Sequence, residues 1–471
     1  MKVMKFGGSS LENAERITRA AEIIAASSKK GGIAVVLSAL KGVTDALIEC
    51  ASLAEKGARL YHDRLEELRR RHLAVLSRLF PGRKGTLLGQ RAAELEGTLA
   101  TMFAELGAVL HSVELIQESP PSSRDLILSF GERMSSLLVS AYLQTRGLPA
   151  ELIDAREIII TKNDTIPVVV LPVSFEKIEK RLASASGIAV IPGFIASNER
   201  GVTTTLGRDG SDYTASLIAA GIGAELIEIW TDVDGVMSAD PRVVAESFTL
   251  PSLTYEEAME LSYFGAKVIH PYTMIPAVKA GIPIRIKNTM NPEAPGTLVA
   301  AEVSRHATSI TGMASIPDIA LMNVQGGGMI GVTGIAARIF GALARTRVNI
   351  IMISQASSEH SICLAFRQSE AAAVGEALRE ELALELQNGI IQDFEILRDL
   401  VIVAVIGENM RGTPGISGRL FSALGEEKVN VLAIAQGSSE RNISFVIHSE
   451  DADRALACIH GAFLSRKEKE R

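Results

Sequence analysis

Short apolar runs alternate with longer stretches of helical spacing over the first half of the chain. The opening "KVMKF" is a short strand, "NAERITRAAEIIAAS" repeats its apolar positions at helical period, and "GIAVVLSAL" is continuously apolar, as in a strand buried on both faces. Residues 55–120 are different: Leu, Glu, Arg and Ala recur at helical period, broken at "FPGRKG" and "ESPPSS", and predict an α-helical insertion. Strand-like runs then return as "DLILSF", "AELIDA", "PVVVLP", "IAVIPGFIA" and "ELIEIWTDV", with helical patterns between several of them. This alternation predicts an α/β domain built on a mostly parallel sheet with helices on both faces. Ligands of such sheets sit at the carboxyl ends of the strands. Ser38, Gly131-Glu132, Gly193 and Thr231-Asp232 each follow one of these runs.

The character changes near residue 318, where an internal repeat begins. "GIAARIFGALARTRVNIIMISQASSEHSI" from Gly334 matches "GISGRLFSALGEEKVNVLAIAQGSSERNI" from Gly415, so that Arg338 aligns with Arg419, Asn349 with Asn430 and Gln355 with Gln436. Each copy reads strand, glycine-rich loop, helix, strand, polar turn, strand. Two stacked α+β modules are expected, at 318–394 and 395–471, after a first domain at 1–300 and a linker at 301–317. A return of the last strand to the first module is left open. "GGGMIG" at 326–331 satisfies the G-x-G-x-x-G dinucleotide pattern, but the acid expected about 20 residues on is replaced by "NIIMIS", and the repeat partner "GENMRGTPG" loses the pattern. A loop approached closely by another chain or a small ligand fits better than a dinucleotide site.

Composition narrows the function classes. With 471 residues, 47% of them hydrophobic, the chain can fill several cores. A net charge of −7, with the basic run Arg69-Arg70-Arg71 placed beside acids, argues against a nucleic-acid partner. No uninterrupted apolar stretch approaches membrane-spanning length and no secretory leader is apparent, so no membrane partner is expected. Cys50, Cys363 and Cys458 lie far apart and form no metal or disulfide pattern, as in a reducing cytoplasm.

Four motifs carry candidate chemistry. "KFGGSS" places Lys5 and two glycines after the first strand, as a tight turn with an exposed lysine or as a nest of backbone N–H groups for anionic oxygens, with Lys5 as a point charge. "LGRDGSDYTA" (206–215) precedes a helix. Ser211 or Asp212 could cap that helix, or Arg208 could hold a carboxylate bidentately while Asp212 orients Lys5 or a magnesium-bound phosphate. "WTDVDGVMSADPRVV" (230–244) is either an ordinary acidic loop or a nucleotide pocket with Arg242 near phosphate. "FGAKVIHP" (264–271) puts Lys267 in an apolar stretch, where a charge needs an anion. Together the lysines, arginines, glycine turns and acids at strand ends form a kit for phosphoryl transfer from ATP.

These motifs, with "LSALKGVTDAL", "GERMSS", "ELSYFGAKVIHP" and "IKNTMNPEAPGT" in the same order, resemble the aspartate kinase (aspartokinase) family, an amino-acid-kinase domain followed by two ACT regulatory modules. The chain looks especially like the kinase and ACT part of bifunctional aspartokinase–homoserine dehydrogenases, with no room for the dehydrogenase before Arg471. The resemblance implies that Lys5 and Asp212 are catalytic and that Lys5, Gly7, Gly8, Ser9, Thr231, Asp232, Met237, Arg242 and Lys267 contact ATP. It implies that Ser38, Thr44, Glu132, Arg208 and Ser211 hold L-aspartate, with Glu132 on the ammonium and Arg208 on the α-carboxylate. Mg²⁺ would be bridged by the ATP phosphates rather than held directly. Met237 departs from the tyrosine common in the family; its thioether can still pack on a base, without the phenol hydrogen bond. ACT modules bind amino acids at interfaces, so Gln355, Gln436, Asn349 and Asn430 are the implied effector residues, with threonine favoured over lysine, in a homodimer or larger homo-oligomer. Other amino-acid or carbamate kinases, a sensing protein with an inactive kinase domain and a dehydrogenase are the competing readings; Lys5 and Asp212, whose loss would mark the second, are both present.

Overall fold

A computed structural model describes residues 1–82, 86–162, 168–265, 270–303, 308–326, 334–355, 361–392 and 394–465. The chain forms two compact units. The first comprises Met1–Val236, Pro251–Tyr255 and Val268–Val303; the second comprises Met237–Leu250, Glu256–Lys267 and Ser304–Arg471.

In the first unit the elements run β1 (Lys2–Phe6), α1 (Ala14–Ser28), β2 (Ile33–Leu37), α2 (Val43–Glu55), α3 (Tyr61–Leu79), α4 (Leu87–Ile116), α5 (Pro121–Thr145), β3 (Ala150–Leu152), α6 (Ala155–Ile158), β4 (Ile160–Thr161) and α7 (Val173–Ala183). They continue through β5 (Ile188–Pro192), β6 (Ile195–Asn198), β7 (Thr203–Thr205), α8 (Gly210–Ile222), β8 (Leu226–Thr231), β9 (Ser252–Thr254), α9 (Tyr255–Tyr263, mostly in the second unit), α10 (Pro271–Lys279), β10 (Ile284–Asn288) and β11 (Thr297–Ala300). An eight-stranded sheet has the order β3-β5-β2-β1-β8-β10-β11-β9. All its pairings are parallel except β10 with β11. The central strands β2 and β5 are buried along their whole length, which is why they read as continuous apolar runs. Register brings Phe6, Leu37, Pro192 and Trp230 level, so the residues after each emerge along one edge.

The expected helical insertion is α3 and α4. By length and composition α4 could cross a membrane, yet Leu95, Leu99, Met102, Phe103, Leu106, Leu110 and Val113 recur along one side of it and pack into the core of this unit. Arg69 and Arg70 lie exposed on α3, as a solvated face requires. Two strand expectations are corrected. "DLILSF" lies inside the 25-residue helix α5, which Pro121 opens; Ile127–Phe130 and the turns beyond are buried nearly all round, so the apolar run carries no amphipathic period to mark it as helix. "PVVVLP" contributes a single bridge, Val170 to Thr161, before Pro172 leads into α7.

In the second unit β12 (Gly312–Gln325), α11 (Ile335–Thr346), β13 (Ile350–Gln355), β14 (Ser361–Arg367), α12 (Ala371–Glu381) and α13 (Ala383–Gln387) form one repeat. β15 (Glu395–Ile406), α14 (Ile416–Glu426), β16 (Ala433–Gln436), β17 (Asn442–His448) and α15 (Ala452–Leu464) form the other. The modules are side by side rather than stacked: β12 pairs antiparallel with β15, giving one six-stranded sheet of order β13-β14-β12-β15-β17-β16. β17 pairs within its own module, so the last strand does not return to the first. The repeat has a structural cause. Gly334 and Gly415 hold the same left-handed turn at φ 94° and 89° before their helices. Arg338 ties α11 to Glu381 and Glu385, and Arg419 ties α14 to the Ala462 carbonyl of α15.

The division differs from the expected boundaries. Met237–Leu250 belongs with the second unit because Ala239 and Val244 are buried in the same core as Val403, Phe445 and Leu456. The first residues of β12, expected as linker, are strand, with Met313 in that core. "GGGMIG" after Gly326 lies outside the described residues.

Candidate active site

β1 delivers Lys5 to the carboxyl edge of the sheet, where its ammonium meets the Asp212 carboxylate from the first turn of α8 at 2.7 Å. Both are buried, at 8% and 6% exposure. Of the two roles open to Asp212, capping is not the one adopted: the residue at the helix cap is Asp209, in left-handed conformation at φ 52°. Burial pushes the Asp212 carboxyl above its ordinary range, and Lys5 pulls it back. After Phe6 the chain turns through Gly7, whose N–H donates to the Trp230 carbonyl at 3.0 Å, into a short 3₁₀ turn at Gly8–Leu11. A Cβ on Gly8 would lie 3.1 Å from the Ala39 carbonyl oxygen, so glycine permits a close backbone approach there.

Across the cavity α5 presents Glu132, 3% exposed. The Ser135 hydroxyl donates to the Ser38 carbonyl at 2.7 Å and locks this helix onto the loop after β2. Burial pushes the Glu132 carboxyl up to about 8, against the opposing pull of a backbone hydrogen bond from Ala39, and its Oε2 has no hydrogen-bond partner. Ser211 is seated by Gly193, where a Cβ would lie 2.7 Å from the Ser211 Cβ. Arg208 is 78% exposed in its side chain, with the Asp209 carboxylate 3.9 Å away, and can swing onto an anion.

Lys5, Gly8, Ser38, Thr44, Glu132, Arg208, Ser211 and Asp212 thus line one cavity of about 620 Å³. Lys41, Asp45, Phe194, Thr205 and Asp209 line it too and were not foreseen. Gly7 and Ser9 lie beside this wall. Thr231 and Asp232 end β8 on the same strand edge, the threonine hydroxyl donating to the Asp232 carboxylate at 3.2 Å. Behind them a buried Ser10–Thr289 hydroxyl contact of 2.7 Å joins the first turn to the end of β10, and Asp234 accepts from Asn288 at 2.8 Å. Thr289 and Asn288 fall in "IKNTMNPEAPGT", which carries them only as part of a family motif.

The remaining expected nucleotide residues are Met237, Arg242 and Lys267. Met237 and Arg242 belong to the second unit; Arg242 is exposed and clasps Asp240 at 2.6 Å. Lys267 lies outside the described residues. Gln355 and Gln436 end β13 and β16 with exposed side chains, while Asn349 and Asn430 are exposed just ahead of those strands; the turn after Gln355 is outside the described residues. Chemically, the cavity offers cations at Lys5, Lys41 and Arg208 for anionic groups and a buried carboxyl at Glu132 for an ammonium.

Comparisons with known proteins agree with this arrangement. Residues 1–288 match the amino acid kinase family, and residues 322–382 and 403–463 each match the ACT domain. The chain is 39% identical to the bifunctional aspartokinase/homoserine dehydrogenase 2 of Arabidopsis thaliana, over 98% of this chain and 51% of that one. It therefore spans about half the length of the bifunctional relatives it matches. It is 33% identical to aspartokinase 3 of the same plant, covering 81% of that protein. Its fold superposes on E. coli aspartokinase III in complex with aspartate and ADP (R-state) with a TM-score of 0.79 at 29% identity, over 98% of this chain and 99% of that one. It also superposes on that protein in complex with lysine and aspartate (T-state), with a TM-score of 0.78. With the kinase model matching more than half of its length and both ACT repeats following in order, the chain belongs to the amino acid kinase family, in its aspartokinase group.

Proposed function

We propose that the chain is an aspartate kinase, transferring the γ-phosphoryl group of ATP to the β-carboxylate of L-aspartate and releasing 4-phospho-L-aspartate and ADP. This is the entry step towards lysine, threonine and methionine. The observation that carries the reading is the buried Lys5–Asp212 pair opening onto the same cavity as Glu132 and Arg208. Glu132 takes the ammonium of aspartate and Arg208 its α-carboxylate, leaving the β-carboxylate to face the phosphoryl donor. That nucleophile is ionised at neutral pH, so the site needs no general base. Its task is to bring two anions together and neutralise the charge that develops on the transferring group. Lys5 supplies fixed positive charge there, with the Gly7 and Gly8 region allowing backbone amides to approach phosphate. Asp212 holds the Lys5 ammonium in place. Mg²⁺ would be carried by the ATP phosphates rather than held directly by the chain, with Asp212 orienting Lys5 or the magnesium-bound phosphate, and when bound it would supply further charge neutralisation.

Arg208→Ala is expected mainly to raise the KM for aspartate, by about tenfold or more, because a charge-assisted bidentate contact is lost from an otherwise intact cavity. A rise in the KM for ATP with aspartate binding unchanged would move Arg208 to the nucleotide.

The ACT modules are read as the seat of feedback inhibition, by threonine first and lysine as the alternative. Support comes from the paired Gln355 and Gln436, whose exposed amides can read both the donors and the acceptors of an amino acid. Gln355→Ala should relieve inhibition in a threonine and lysine titration while leaving the uninhibited kcat unchanged; undiminished inhibition would remove Gln355 from the effector site. Exposed Ile353 on β13 and Ile434 on β16 support a homo-oligomer joined through these modules. Three free cysteines support a reducing, cytoplasmic setting.

A further inference from the structure

Helix α5 serves two cavities. Glu132 faces the aspartate cavity, but its neighbour Arg133, one helical step round, lines a second cavity of about 640 Å³. This one is a half-open cleft between α4, α5, β3, α6 and the end of β5, with Glu94, Glu105 and Asp154 among its lining, and it shares no lining residue with the first. Its wall carries Met102, Leu137, Leu152 and Pro192, with Leu152 left 40% exposed. Two arginines reach it, and they differ. Arg156 is fully engaged: its Nε and Nη2 clasp the Asp154 carboxylate, the shortest contact being 2.6 Å, and Nη1 donates to the Thr203 hydroxyl at 3.2 Å. Arg133 lies with its guanidinium carbon 4.5 Å above the Phe130 ring, and its recorded ionic neighbour, the half-exposed Glu105, stands at 4.0 Å, beyond hydrogen-bond reach. A half-buried guanidinium presents five N–H donors in a rigid fork that matches a carboxylate. Burial first, and then the nearby Arg156 charge, weaken its hold on its proton, against the opposing pull of Asp154 and Glu105.

We infer that this cavity binds a small carboxylate with an apolar body, held bidentately by Arg133 and lying against Met102, Leu137 and Leu152. The site is also placed to modulate catalysis. Arg133 directly follows Glu132, and Pro192 directly precedes Gly193, on which Ser211 is seated without space to spare. An occupant that shifts either wall residue moves a residue of the aspartate cavity. This second step rests on the function proposed above; the binding itself does not.

The test is calorimetric titration of the full chain with 4-phenylbutyrate, using 4-phenylbutan-1-ol as the uncharged control, with and without saturating L-aspartate. The expected result is one site of millimolar affinity or better that persists under saturating aspartate and takes the alcohol at least tenfold more weakly. Arg133→Met keeps the packing over Phe130 and should weaken the acid at least tenfold. Thr98→Trp, on the exposed side of α4, should block the cavity without entering the core. No heat at millimolar acid, displacement by aspartate, or binding unchanged in both variants would overturn the inference. Aspartate-dependent ADP release by the same preparations separates the outcomes: if it is intact while binding fails, the second site alone is wrong.

Discussion

Replacing Lys5 by alanine is expected to lower kcat by on the order of 10²-fold or more, the typical loss when one preorganised electrostatic donor is removed from a transition state. The effect should fall on kcat more than on either KM, because the ammonium is most needed where charge builds up on the transferring phosphoryl group. The fold should survive. Asp212 loses its partner, but its carboxyl already sits above the ordinary range through burial, so it can take up a proton rather than remain as a bare charge. A lowered melting temperature is still expected, since breaking a buried ion pair from one side costs stability. Lys5→Ala/Asp212→Ala should then be less destabilised than the sum of the two single changes. A folded Lys5→Ala protein with full activity would remove Lys5 from the mechanism.

Glu132→Gln should raise the KM for aspartate by on the order of 10²-fold, because the buried ammonium of the substrate would lose its counter-charge on α5. It should also change the pH dependence. In the ligand-free chain the Glu132 carboxyl, raised from 4.5 to about 8, holds its proton through neutral pH. Binding an ammonium requires the ionised form, so aspartate binding releases a proton below pH 8, and affinity should rise with pH up to about 8 and then level. Stability runs the other way. A carboxyl whose folded pKa is raised binds more protons folded than unfolded, so its contribution is fully present below about 4.5 and is lost as pH rises through about 8. The ligand-free protein should therefore be less stable at alkaline pH than at neutral pH, aspartate should restore it, and Glu132→Gln should abolish this slope. A KM for aspartate that is flat with pH in the unmodified protein would contradict the assignment.

Much of this site is legible in the amino-acid sequence. "KFGGSS" and "LGRDGSDYTA" stand out locally, because a close backbone approach needs glycine and the charged residues sit beside those glycines. The internal repeat was equally legible, since Gly334 and Gly415 hold equivalent turns and Arg338 and Arg419 brace equivalent helices. Two features were not legible and a third was open between alternatives, each for a physical reason. The segment around Glu132 reads as strand because α5 is buried nearly all round and shows no amphipathic period. The side-by-side joining of the repeats depends on β12 pairing with β15, a register that no local pattern encodes. Whether Lys5 and Asp212 meet is a matter of long-range topology: either residue alone is as consistent with a turn or a helix cap, and only the parallel sheet brings them to 2.7 Å.

Phosphorylation of the β-carboxylate of L-aspartate in this cavity can be read from its two products. The most direct test is to incubate the purified chain with ATP, Mg²⁺ and hydroxylamine together with L-aspartate, D-aspartate, L-glutamate or L-asparagine, and to measure ADP and hydroxamate. An acyl phosphate is trapped by hydroxylamine as the hydroxamate, so both products should form together with L-aspartate, at rates far above those with the other three, and Lys5→Ala should suppress both. ADP release that ignores L-aspartate, or that yields no hydroxamate, would rule out an aspartate kinase.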